Sequence, residues 1–95
     1  MESEIRRILA AEAAALSGHR VFLFGSRAMG TARPESDFDL GVLGDEPLKL
    51  DAFDQIAEKL EQIPTLCRFD WIDLNRADSR LRRAAQSHGR VLYED

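Results

Sequence analysis

Two aspartates, Asp37 and Asp39, flank a single aromatic at the start of one apolar run, and a Gly25-Ser26 turn closes the apolar run before it. Along a strand, side chains alternate faces and the chain rises about 3.3 Å per residue, so residues two apart project the same way with Cα atoms about 6 to 7 Å apart. Asp37 and Asp39 therefore share one face, and Phe38, Leu40 and Val42 take the other. Carboxylates placed like this converge on one hard cation, or bridge two cations about 3.5 to 4 Å apart that grip a phosphate. The Gly-Ser turn supplies the complement: glycine lets backbone approach phosphate oxygens, amide N–H groups opening a helix attract anions, and Ser26 adds a hydroxyl donor. The chemistry indicated is metal-assisted phosphoryl transfer. A Walker A loop is excluded, because no Gly-Lys-Ser/Thr follows the turn. The competing reading makes Arg33 to Asp37 a plain hairpin loop with aspartates facing solvent. The order of strand, turn and strand favours the site.

Those residues need strands and helices to hold them. Ile5, Ile8, Leu9, Ala13 and Leu16 fall on one helical face, which predicts a packing helix from Glu2 to Leu16 stopped by Ser17-Gly18. His19 reads as an exposed loop histidine. The strand Arg20 to Phe24 is nearly all apolar, consistent with burial on both faces. A short helix begins at Ser26 and ends before Pro34, since the residue preceding a proline is disfavoured in the helical region. A second strand spans Asp37 to Leu43. Behind Pro47, Leu48 to Ile63 forms a second amphipathic helix, with Phe53, Ile56, Ala57, Leu60 and Ile63 on its apolar face and Pro64 closing it.

A third strand follows from about Leu66 to Leu74. Its alternation sends Cys67, Phe69 and Trp71 into the core and Asp70 to the more open face, where it can join Asp37 and Asp39, whereas Asp73 sits on the core face. Asp78 or Ser79 caps a last helix through Gln86 or Ser87, with His88 at its C-terminus as a dipole-compensating or packing residue. Val91 to Tyr93 reads as a short extended tail.

Ninety-five residues make one domain, 1–95, with room for one core and no internal repeat or linker. The net charge of −4 weighs against strong non-specific binding to nucleic acid, which depends on lysine and arginine neutralising phosphates. Arg76, Arg80, Arg82, Arg83 and Arg90 cluster near the C-terminus, as a local basic patch or a solvated helix face. The N-terminus lacks a signal-peptide pattern and no apolar run spans a bilayer, so the expectation is a cytoplasmic protein with no membrane association. Cys67, the single cysteine, reads as a small core residue.

Taken together, Gly25-Ser26-Arg27-Ala28, Gly30, Asp37-Phe38-Asp39 and the later Asp70 to Leu74 resemble the minimal nucleotidyltransferases of the DNA polymerase beta superfamily, over nearly the whole chain. One departure is Met29, where members often carry arginine. The resemblance implies an α/β fold, with a small mixed β-sheet and flanking helices in the order α-β-α-β-α-β-α, backed by helices on one face. It implies a transfer of a nucleoside monophosphate, AMP from ATP, to a hydroxyl. Two Mg2+ ions would be held by Asp37 and Asp39, with Asp70 as the third metal-binding and catalytic carboxylate beside the attacking oxygen. Gly25 and Ser26 would hold the outgoing pyrophosphate, and Arg27 would either neutralise nucleotide charge or form a structural ion pair. Small members of this kind often work beside a helical partner of the HEPN type, as an antitoxin that adenylylates a toxin tyrosine. Two other functions stay open: a non-catalytic binding module with this fold, and small-molecule nucleotidylation such as antibiotic modification.

Overall fold

Alternation along one apolar strand organises the molecule. Val21 and Leu23 enter a large core while Phe22 and Phe24 enter a smaller one on the opposite face. The computed structural model describes residues 1–95 as α1 (Glu2–Ala11), β1 (His19–Phe24), α2 (Ser26–Met29), β2 (Phe38–Gly44), α3 (Leu50–Glu61), β3 (Phe69–Asp73), α4 (Ser79–His88) and β4 (Arg90–Glu94). The sheet has the order β3-β2-β1-β4, with β1 antiparallel to both its neighbours and β2 parallel to β3. This is the expected mixed α/β sheet, with two differences.

The predicted tail is a fourth strand. Arg90 to Glu94 is too short to announce itself, but it pairs with the otherwise open side of β1 and buries Leu92 in the main core. The helices also cover both faces rather than one. On one face α1 and α3 contribute Ile5, Leu9, Ile56 and Leu60. On the other, α4 lays Ala85 and Leu81 against Phe22 and Phe24. Burying both faces of β1 explains why its sequence is a continuous apolar run.

Several local expectations shift. The first helix stops at Ala11, and the chain reaches the buried Leu16 through turns, leaving Ala13 exposed. His19 opens β1 and is half-buried, its ring nitrogens 2.9 Å from the Ser17 carbonyl and 2.8 Å from that of Glu46, which ties the turn after β2 to the start of β1. Cys67 precedes β3 instead of lying in it, half-buried with its thiol donating to the Pro34 carbonyl. Asp78 caps α4 by accepting from Leu81 N–H at 2.9 Å. The arginines near the C-terminus do not form a free patch: Arg82 donates to the Leu74 and Ala77 carbonyls, and Arg90 makes a bidentate pair with Glu2.

Asp73 sits on the core face, buried, accepting from Leu48 N–H at 3.1 Å and Asn75 N–H at 3.0 Å, with Arg76 at 3.4 Å. Removing it strands the Leu48 donor in the interior. Asp73→Ala is therefore expected to lower stability by about 1 to 3 kcal/mol, read from urea melts, while leaving the carboxylates on the opposite face in place.

Candidate active site

The parallel register of β2 and β3 sets Asp39 directly opposite Asp70. Both side chains leave the sheet on the face away from the main core, since Phe38, Leu40, Phe69 and Trp71 take the other. Asp37 lies two residues before Asp39, exposed at the entrance to β2, near enough for its charge to act on Asp39. On the far side of Asp39, antiparallel pairing places Phe24 opposite it, so the Gly25-Ser26 turn follows at once. Three separated stretches of sequence thus meet at one end of the sheet.

Gly25 fits that turn for two reasons. Its φ of 72° and ψ of −154° lie in a region essentially restricted to glycine. A Cβ there would also overlap Oδ2 of Asp39. The Gly-Ser turn and the Asp-x-Asp pair are thus one packed unit.

Crowding raises the pKa of Asp39 to about 6. Loss of water around the carboxyl is the largest cause, followed by its hydrogen bond with Asp70 and the charges of Asp70 and Asp37. Carboxylates that share a proton for want of a counter-charge offer a donor set suited to a hard divalent cation. No three acidic, histidine or cysteine side chains converge tightly enough to cage an ion unaided.

Residues 5–95 match the family described as Polymerase beta, Nucleotidyltransferase. The chain belongs to this family. Among curated relatives it is 36% identical over 55 residues to the probable protein adenylyltransferase MntA of Haemophilus influenzae, covering 58% of this chain and 48% of that protein. The match thus spans about half the length of that relative. Among solved structures, a toxin–antitoxin with AMP-PNP superposes with a TM-score of 0.75 at 27% identity, over 99% of this chain and 73% of that one. A mutant of the toxin–antitoxin MntA–HpeT gives 0.77 at 26%, over 100% and 74%.

In this structure the Arg27 guanidinium sits over Phe38, on the face of β2 opposite Asp39. It stacks 4.0 Å from the ring centroid, and Nη2 donates to the carbonyls of Pro34 at 3.0 Å and Ser36 at 2.7 Å. It makes no ion pair with a carboxylate, and these contacts clamp the loop that delivers Asp37. Sequence reasoning missed this because Arg27 and Phe38 are joined by no local periodicity; the one available signal was a lone arginine close before a loop rich in free carbonyls. Met29 is exposed on α2. The broad hollows around His19 and Asp45 lie at the other end of β1 from the carboxylates.

The raised pKa has a measurable sign. Folded Asp39 keeps a proton that the unfolded chain releases, so its contribution stabilises at low pH and is lost as pH rises from about 4 through about 6. Asp39→Asn removes that loss. The melting temperature of Asp39→Asn relative to the parent, without metal or nucleotide, is expected to climb across that window and level off above it.

Proposed function

We infer that this chain moves AMP from ATP to a tyrosine hydroxyl of a HEPN-type toxin, and so serves as the antitoxin of the pair. The observation that carries this reading is the meeting of Asp39 and Asp70 across β2 and β3, directly beside the Gly25-Ser26 turn. Support comes from family membership and from relatives described as a protein adenylyltransferase and as toxin–antitoxin assemblies, one of them with AMP-PNP.

The roles follow from position. Gly25 and Ser26 receive the pyrophosphate end of ATP through backbone N–H and hydroxyl. Asp37 and Asp39 are the residues that would hold divalent metal, with Asp70 beside them. Magnesium, when bound, would supply positive charge against the phosphates. Asp70 accepts the proton of the acceptor hydroxyl as its oxygen bonds to the α-phosphorus and the bond to pyrophosphate breaks. The products are an AMP ester of the acceptor and free pyrophosphate. Incubating the chain with ATP, Mg2+ and a HEPN-type helical protein, then reading the partner's intact mass, tests the proposal. Addition of AMP to a tyrosine of the partner is expected; a partner of unchanged mass counts against it.

A further inference from the structure

In-line displacement at phosphorus puts the entering and leaving oxygens on opposite sides. Across this sheet, Gly25-Ser26 ends β1, Asp39 stands on β2 and Asp70 on β3, in that spatial order. With the leaving pyrophosphate on the β1 side, the acceptor oxygen arrives from beyond β3. Nothing of this chain pairs there, because β3 is the edge of the sheet.

The edge is prepared for a strand. Phe38 N–H donates to the Arg68 carbonyl at 2.9 Å and Leu74 N–H to the Val42 carbonyl at 2.8 Å, so the even-numbered residues turn their backbone groups toward β2. Phe69 and Trp71 consequently turn N–H and C=O outward. Of the usual protections of such an edge, Phe69–Asp73 lacks proline, lysine and a bulge, and relies on its five-residue length and on Asp70 and Asp73. The opposite edge strand, β4, does carry a bulge against β1.

An apolar hollow of about 360 Å³ adjoins the bare edge, lined by Leu50, Phe53, Trp71, Ile72 and Ala77. Trp71 and Ile72 project to opposite faces, so the hollow straddles the edge. Leu50 is 63% exposed there, with no partner of its own for that surface. Arg68 and Arg76, both exposed, stand at the two ends of the strand.

We propose that the acceptor protein docks as an extended segment added to the free edge of β3, with its hydroxyl residue opposite Asp70 and an apolar side chain two positions away opposite Ile72. The inference rests on the adenylyl-transfer reading above for the identity of the occupant. Main-chain hydrogen bonds to Phe69 and Trp71 supply affinity, and the hollow reads the alternate side chain. Period-two alternation sets the spacing, because Asp70 and Ile72 share a face. Acidic residues flanking the segment complement Arg68 and Arg76.

Amide hydrogen exchange of the full chain with a HEPN-type helical protein, without ATP, tests docking separately from chemistry. The Phe69 and Trp71 amides are expected to slow by about tenfold or more. In steady-state transfer, Leu50→Asp is expected to raise KM for the partner protein by about tenfold or more while KM for ATP stays put. Label transfer with Phe69 and Trp71 exchanging at their free rates overturns the edge proposal and leaves the enzymatic reading standing. Slowed exchange without transfer does the reverse. Neither effect, or a KM for ATP that rises as much as that for the partner, overturns the proposal.

Discussion

Asp70→Asn is expected to keep most of the affinity for ATP and to lose nucleotidyl transfer by about two to four orders of magnitude, the range for removing a positioned base. The residues proposed to hold the nucleotide, Gly25, Ser26, Asp37 and Asp39, lie on β2 and in the turns beside β1 and β2, not on the strand that carries Asp70. Asp70 itself is exposed on an edge strand. The substitution also removes a neighbouring charge that raises the pKa of Asp39, so the folded state gains where the mechanism loses. Nucleotide calorimetry, thermal melts and single-turnover transfer separate these effects. A variant with full transfer would show that another group takes the proton. One that lost ATP binding in step with transfer would place Asp70 in ground-state nucleotide contact instead.

Gly25→Ala is expected to have the second largest effect. The backbone conformation costs a residue with a Cβ about 1 to 3 kcal/mol, and the added methyl collides with the Asp39 carboxyl. For a domain of this size each kcal/mol lowers the melting temperature by about 4 to 8 °C. Transfer should fall as well, because relieving the overlap moves one of the two metal-facing carboxylates, and misplacements of about 1 Å cost on the order of a hundredfold. A double variant separates the two contributions. In Gly25→Ala with Asp39→Ala the collision disappears but the backbone penalty remains, so the stability losses should be less than additive. Strict additivity would mean that the turn and the carboxylate do not touch.

The site was more legible in the sequence than the sheet that carries it. Alternation placed Asp37 and Asp39 together, sent Asp70 to the open face and buried Asp73, because period two is a property of the backbone and survives any tertiary arrangement. The fourth strand was illegible for the opposite reason: Arg90 to Glu94 becomes a strand only by pairing with β1, and five residues with two charged ends carry no pattern of their own. The same holds for α4 crossing to the second face. Its single buried residue, Ala85, finds Phe22 and Phe24 only after the sheet exists. Arg27 shows a third limit. Its charge suggested a phosphate, but whether a guanidinium meets an anion or stacks on a phenyl ring is decided by Phe38, which the fold brings underneath it.

The most direct measurement follows the label. ATP carrying radioactive phosphorus at the α or the γ position is incubated with Mg2+, the chain and a HEPN-type helical protein, using the parent and a variant combining Asp37→Asn with Asp39→Asn. The account predicts α label on a tyrosine of the partner, no γ label there, and no transfer by the double variant. Partner protein that acquires γ label, or α label that appears equally with the double variant, would contradict it.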